Sequence, residues 1–230
     1  MVVIAVRTPG EYVLYHIMKI ASRPFLRLLW RPEVTGAEHV PASGAALLAS
    51  NHLSILDSVF LPAMLPRQVT FVAKSEYFTG NRLMAMFMRG TGQVAIDRES
   101  AAAAQAMLDT ALRVLDSGEL FGIYPEGTRS PDGRLYRGKI GVAWLALTAG
   151  VPVIPVAMVN TDRVLPPGAA VPRIARIGVR IGKPLTFTGD PGRAQDRRAV
   201  TDEVMRAIQR LSGQQYVPAY ARREAPRRAA

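Results

Sequence analysis

Cysteine is absent from the 230 residues, and only three histidines are present. No disulfide framework, thiolate metal site or cysteine nucleophile is available, and the lack of thiols fits a reducing compartment. Acids are scarce against bases: 18 Asp and Glu stand against 29 Lys and Arg, a net charge of +11. That balance points to a polyanionic partner, whether nucleic acid, an anionic membrane or a phosphorylated substrate. Aromatics make up only 7% of the chain, which leaves few stacking platforms. No nucleic-acid recognition motif occurs, so a nucleic-acid partner is not expected. Long hydrophobic runs are lacking as well. The most apolar N-terminal stretch is broken by Glu11, Lys19, Arg23 and Arg27, whereas a spanning helix needs about 20 mostly apolar residues. Residues 2–6 are apolar where a secretory signal carries its basic region, so a cytoplasmic location is expected. No G-x-S-x-G elbow and no G-K-[ST] loop exists, which removes the serine-hydrolase and P-loop readings. His16 and His39 have no ligand-like spacing to His52, so no metal site is expected.

What remains is a chain long enough to bury a substantial core in one main domain. Residues 1–33 read as an N-terminal amphipathic helical element. Lys19, Arg23, Arg27 and Arg31 recur every four residues as a basic stripe, with Leu14, Ile17, Met18, Phe25, Leu28, Leu29 and Trp30 on other faces. Pro24 is expected to kink or split this segment. It suits either an interfacial anchor on anionic lipid or a helix packed on the domain with a solvated basic face. From residue 34 to 213, strand and helix signals alternate. Strands are expected at 45–49, 69–73, 93–96, 120–124, 153–159 and 174–181. Helices are expected at 58–64, 82–88, 101–117, 139–148 and 201–211. The alternation predicts an α/β fold with a mixed, largely parallel central sheet flanked by helices. Residues 214–230 carry Arg222, Arg223, Arg227 and Arg228 and read as a disordered basic tail.

Three stretches can carry chemistry. In the first, Asn51-His52 follows an apolar strand and Asp57 comes five residues later. On a straight helix that spacing separates the side chains by about 140°. The two meet if His52 lies in the loop and Asp57 in the first helical turn, with Ser54 as the cap of a capping box. A carboxylate on one ring nitrogen would then leave the other free as a general base. The same residues also suit a capped helix start beside a polar strand end. In the second, Glu126-Gly127-Thr128-Arg129 follows the strand ending at Tyr124. That edge of an open α/β sheet hosts ligands, and arginine offers a planar fork for phosphate. A surface turn with Glu126 and Arg129 paired is the other reading. The third is Gly92-Gln-Val-Ala-Ile96-Asp97-Arg98, a strand ending in an anion-ready pair; Lys74 likewise ends a strand.

Taken together these pieces resemble the glycerophospholipid acyltransferase family, the 1-acylglycerol-3-phosphate acyltransferases. N-H-x-x-x-x-D stands as Asn51 to Asp57, and the segment leading to I-D-R as Gly92 to Arg98. F-P-E-G-T-R-S stands as Tyr124 to Ser130 with Tyr for Phe, and V-P-[IV]-[IV]-P-V as Val151 to Val156. Order and spacing agree across residues 34–190. The resemblance implies that His52 is the general base, Asp57 orients it, and no acyl-enzyme forms. It implies that Lys74, Arg98 and Arg129 bind the acceptor phosphate, and that Glu126, Gly127 and Thr128 shape the acceptor site. It implies that Asn51 and Pro155 help position the acyl chain or donor. The expected reaction moves an acyl group from acyl-CoA or acyl carrier protein, as co-substrate, to 1-acyl-sn-glycerol-3-phosphate, giving phosphatidic acid. Glycerol-3-phosphate, a lysophospholipid, a lyso-amino-acid lipid or a glycolipid are alternative acceptors, and a lipid-binding protein with an inactive site is the non-enzyme alternative. No cofactor is implied. The expected location is the cytoplasmic face of the cell membrane, as a peripheral protein on an anionic surface.

Overall fold

Among the described residues, seven strands, with the ranges given below, form one sheet in the order β1-β8-β7-β2-β5-β3-β4. The computed structural model describes residues 9–74, 93–96, 101–166, 169 and 171–222. The strands are β1 Glu33–Thr35, β2 Ala46–Ser50, β3 Val69–Lys74, β4 Gln93–Ile96, β5 Leu120–Ile123, β7 Val153–Val159 and β8 Gly178–Ile181. Neighbours run parallel except β7 and β8. A separate parallel pair joins β6 (Leu135–Tyr136) to β9 (Tyr216–Val217). The expected mixed, largely parallel sheet with flanking helices is the fold.

Central position explains the unbroken apolar run of β2. All five of its residues are buried, as a strand covered on both faces requires. Alternation then splits it. Ala46 and Leu48 join a core with Leu26, Trp30, Phe60 and Leu61. These four belong to helices α1 (Pro9–Trp30) and α2 (Asp57–Met64). Leu47 and Ala49 join a second core with Leu115, Leu145, Val204 and Ile208 on the opposite face. That face is covered by α3 (Ala101–Asp116), α4 (Gly141–Ala149) and, beyond the single turn α5 (Thr161–Val164), α6 (Ala194–Ser212). The β2 and β5 strands are adjacent and parallel, with Ala49 level with Ile123. The loops after them therefore emerge side by side at one edge of the sheet.

Several expectations change. The N-terminal segment is one helix through Pro24. Pro24 lies on its exposed side, where the carbonyl that loses its N–H partner stays accessible. The basic stripe does not face outward as a unit. Lys19 Nζ donates to the carbonyls of Pro66 (3.1 Å) and Arg67 (3.3 Å), and Arg23 Nη2 to that of Met64 (3.4 Å). These carbonyls end α2 and follow it, where a helix presents unsatisfied acceptors and its negative pole. Burial and the Arg23 charge lower the Lys19 pKa to about 8. The outward side of α1 is instead apolar, with Ile17, Ile20, Phe25 and Leu28 between 57% and 73% exposed. The helix expected at 201–211 begins at Ala194, because its first turns are polar and carry no apolar period. The strand expected at 174–181 is only 178–181. The expected helix at 82–88 lies outside the described residues. The tail does not begin at 214, since β9 pairs with β6 in register Leu135 to Tyr216. No helix among the described residues is long and apolar enough to cross a membrane.

Candidate active site

The loop after β2 is organised by one carboxylate oxygen. Asp57 Oδ2 accepts from His52 Nδ1 (2.9 Å), from the Leu53 amide (2.7 Å) and from the Ser54 amide (2.9 Å). A carboxylate only accepts, so Nδ1 carries the proton of this bond and Nε2 is the acceptor nitrogen of the neutral ring. Asp57 is fully buried, whereas the His52 side chain is 16% exposed. The ring thus has Nδ1 fixed by a buried carboxylate while the side chain as a whole stays partly exposed. The capping box is only half realised. The Ser54 amide reaches the Asp57 carboxylate, but the helix cap is Leu56 with no side-chain cap bond. The Ser54 hydroxyl instead donates to the Leu165 carbonyl at 3.1 Å and weakly accepts from the Leu56 amide at 3.4 Å.

The opposite face of the imidazole is set by a stack that starts in β5. Gly122 has no side chain where an added Cβ would lie 2.2–2.6 Å from three Phe71 ring atoms. Phe71 occupies that space and stacks on Tyr124 at 5.3 Å, and Tyr124 stacks on His52 at 3.9 Å with 10° between planes. Tyr124 Oη also bonds Ser58 Oγ at 2.8 Å. Ser58 is the residue after Asp57, so the tyrosine ties the β5 loop to the helix carrying the carboxylate. Tyr in place of Phe therefore adds a bond at this wall.

Glu126 holds the two loops together. Its Oε1 accepts from the His52 amide (3.2 Å) and its Oε2 from the Tyr136 amide (2.9 Å). The Ser130 amide returns to the His52 carbonyl at 2.7 Å. The carboxyl is buried, and burial is the larger effect on it, raising its pKa to about 7 against the opposing pull of the two amides. The native state thus holds this proton more tightly than the unfolded chain, whose value is 4.5. The contribution of this carboxyl to stability is therefore full below about pH 4.5 and is lost as pH rises to about 7, a change of order 3 kcal/mol at about 1.4 kcal/mol per unit. We expect Glu126→Gln to remove most of this slope when thermal unfolding is followed across that window; an unchanged slope would assign it elsewhere.

Gly127 adopts φ +73, the left-handed region that favours glycine. Thr128 is half-buried and Arg129 is exposed, and Arg129 pairs with no acid among the described residues, so the surface-turn reading does not hold. Lys74 ends β3 one strand over from this loop, with its side chain outside the described residues; Arg98 lies outside them altogether. Asn51 and Pro155 do not reach the opening. Asn51 is buried, accepting from the Met158 amide (2.7 Å) and donating to the Met158 carbonyl (3.0 Å) and Gln214 Oε1 (2.7 Å). Pro155 sits level with Ala49, about 10 Å below His52 at 3.3 Å per residue. An added Cβ on Gly182 would touch Pro155 Cγ at 2.9 Å and Leu211 Cδ1 at 3.0 Å, so Pro155 packs beneath the sheet edge beside α6. Sequence reasoning missed Ser58, Tyr136 and Gln214. Gln214 Nε2 also donates to the Gly133 carbonyl (2.7 Å), linking the β2 and β5 loops through Asn51. No group of three or more metal-ligating side chains occurs among the described residues.

An imidazole held by a buried carboxylate thus lies beside a Glu-Gly-Thr-Arg loop at the carboxyl edge of a largely parallel sheet. The family model Acyltransferase matches residues 31–159, and the chain belongs to this family. It is 34% identical over 130 residues to 1-acyl-sn-glycerol-3-phosphate acyltransferase alpha of Homo sapiens. It is 35% identical over 130 residues to 1-acyl-sn-glycerol-3-phosphate acyltransferase of Limnanthes alba. Each match covers 56% of this chain and 45% of the relative, so the matched region spans about half the length of those proteins. The fold is similar to the crystal structure of the 1-acyl-sn-glycerophosphate (LPA) acyltransferase PlsC from Thermotoga maritima. The TM-score is 0.66 at 26% identity, covering 87% of this chain and 80% of that one.

Proposed function

We propose that the chain transfers an acyl group from a thioester, acyl-CoA or acyl carrier protein, to the free hydroxyl of 1-acyl-sn-glycerol-3-phosphate. The observation that carries this reading is His52: its Nδ1 is bound to Asp57 at 2.9 Å, on a chain of this family. His52 Nε2 takes the hydroxyl proton as the oxygen attacks the thioester carbonyl carbon. Asp57 supports the imidazolium that forms. Collapse of the tetrahedral intermediate breaks the C–S bond, and the proton passes from Nε2 to the departing thiolate. The protein itself is never acylated. Lys74, Arg98 and Arg129 hold the acceptor phosphate, and Glu126 keeps the two loops at the distance this requires. Fixing the acceptor turns the attack into a proximity-assisted step.

The reaction is tested by supplying acyl-CoA and lysophosphatidic acid and following thiol release together with phosphatidic acid. One thiol per phosphatidic acid is expected. Thiol release only with an unphosphorylated acceptor would change the substrate, and none with any lyso-lipid or glycerol-3-phosphate would defeat the reading. Arg129→Ala is expected to lower kcat/KM for the phosphorylated acceptor about 10- to 100-fold, mostly through KM, from the loss of one charge-assisted bond of ~1.5–3 kcal/mol. Arg129→Lys recovers part of that.

The same reading puts the protein on an anionic membrane as a peripheral protein. Support comes from the apolar outward face of α1, whose Ile17, Ile20, Phe25 and Leu28 are exposed to water at a cost. Each such side chain gains about 1.5–3 kcal/mol on full burial. Removing residues 1–31 is expected to weaken sedimentation with anionic vesicles, and unchanged binding would contradict the reading.

A further inference from the structure

The most exposed large apolar side chains among the described residues are not on α1. They are Ile174 and Val171, at 77% and 75%, on the segment that leads from α5 to β8. Connecting segments normally present polar groups to water, and apolar tips held outward mark contact surfaces. This segment is held. Trp30 Nε1, at the end of α1, donates to the Arg173 carbonyl at 2.8 Å. The Arg173 amide donates to the Val164 carbonyl at 2.7 Å, and the Ile177 amide to the Trp30 carbonyl at 3.4 Å. Ile177 is buried and Ala175 packs against the core. The backbone is thus pinned on both sides of Ile174, and the isoleucine stands outward on a fixed support.

Charge decides what suits this surface. Arg173 and Arg176 flank Ile174, and Arg27 on α1 and Arg31 just after it flank Leu28 and Trp30; all four arginines are exposed. Neither residues 12–32 nor residues 171–177 contain an acid. Apolar tips set among arginines, with carboxylates only at the border (Glu33, whose amide donates to the Ile177 carbonyl, and Asp132 and Asp162 in the cleft that Arg173 lines), match a bilayer whose headgroups are anionic and whose acyl region lies just beneath. The end of α1 and the 171–177 segment are also adjacent, because Trp30 joins them and packs edge-on against Phe25, on the outward face of α1, at 6.0 Å. Arg173 further lines a cleft of about 360 Å³ together with Ser130. The Ser130 amide bonds the His52 carbonyl, so this surface borders the loop that carries the candidate base.

We infer that residues 171–176 form a second bilayer-contacting element, locked by Trp30 to the outward face of α1, so that both enter one anionic membrane surface. The inference rests on the peripheral-membrane reading of α1 and adds to it a contact remote in sequence. It also sets the orientation, with the edge of the site at the headgroup level where a lyso-lipid acceptor resides.

The absence of cysteine makes the test direct, since a single introduced thiol carries the only label. Ile174→Cys, Ile20→Cys and Glu203→Cys are labelled in the full chain with an environment-sensitive nitrobenzoxadiazole group. Glu203 is exposed on α6, across the sheet from α1. Vesicles are phosphatidylcholine alone, or equal parts phosphatidylcholine and phosphatidylglycerol. On the anionic vesicles, emission at 174 and at 20 is expected to shift to the blue and rise about twofold or more, with no change at 203. A response at 20 with silence at 174 overturns the inference and leaves the α1 reading standing. Silence at both overturns both. An equal response at 203 means unoriented adsorption and also overturns the inference. The paired variant Val171→Asp/Ile174→Asp is expected to bind anionic vesicles about tenfold more weakly, with unfolding temperature and activity on detergent-dispersed acceptor unchanged. Binding equal to wild type contradicts the inference.

Discussion

Replacing His52 with Ala lowers kcat/KM for acylation of lysophosphatidic acid by about 10²- to 10⁴-fold, the range that a positioned general base contributes. At about 1.4 kcal/mol per decade this is roughly 3–5 kcal/mol of lost transition-state stabilisation. Little of it comes from the fold. The His52 side chain is 16% exposed, and its backbone keeps the bonds to Glu126 and Ser130. The variant loses the ring's stack on Tyr124 and its bond to Asp57, so a stability loss of about 1 kcal/mol is expected. That shifts the unfolding temperature by only about 2–4 °C for a chain of this size. A large activity loss beside a small thermal shift identifies a chemical role. Activity within about threefold of wild type would remove His52 from the reaction.

Asp57 gives the second large effect, and two substitutions separate its two jobs. Its Oδ2 accepts three N–H donors in a buried site. Asp57→Ala leaves all three without this partner, and each buried orphan costs about 1–3 kcal/mol. The expected destabilisation is at least about 3 kcal/mol, read by urea unfolding. Asp57→Asn keeps an oxygen for those donors but removes the charge that supports the imidazolium. It also places an amide nitrogen where Oδ1 is buried with no hydrogen-bond partner among the described residues. Its stability loss is expected to be smaller, while kcat falls about a hundredfold or more with KM little changed. Equal stability and equal kcat losses for the two variants would make Asp57 a purely structural residue.

How much of this was readable beforehand depended on sequence distance. The interior strand Val153–Val159 announces itself because a strand covered on both faces is apolar, and it matches expectation to the residue, as does the edge strand Gln93–Ile96. Residues His52 and Asp57 were readable as a pair because both lie within one loop and turn. Their support was not. Ser58 meets Tyr124 across 66 positions and Asn51 meets Gln214 across 163, and no local pattern encodes either. The outward face of α1 differs from expectation for a similar reason. Periodicity marks the basic stripe but not its partners, and these turned out to be the backbone carbonyls of residues 64, 66 and 67. The start of α6 was hidden by a polar first turn, and the length of β8 was overestimated because exposed Ile174 mimics a strand residue.

The central claim is a direct transfer from thioester to acceptor in which His52 acts as base and the protein carries no acyl group. Mixing enzyme with acyl-CoA alone, then adding lysophosphatidic acid, tests it most directly, with thiol release followed and the intact protein mass recorded at each stage. The account predicts no thiol burst and no mass increase before the acceptor is added, and thiol release matching phosphatidic acid afterwards. A burst stoichiometric with enzyme, with a protein heavier by one acyl group, would contradict it.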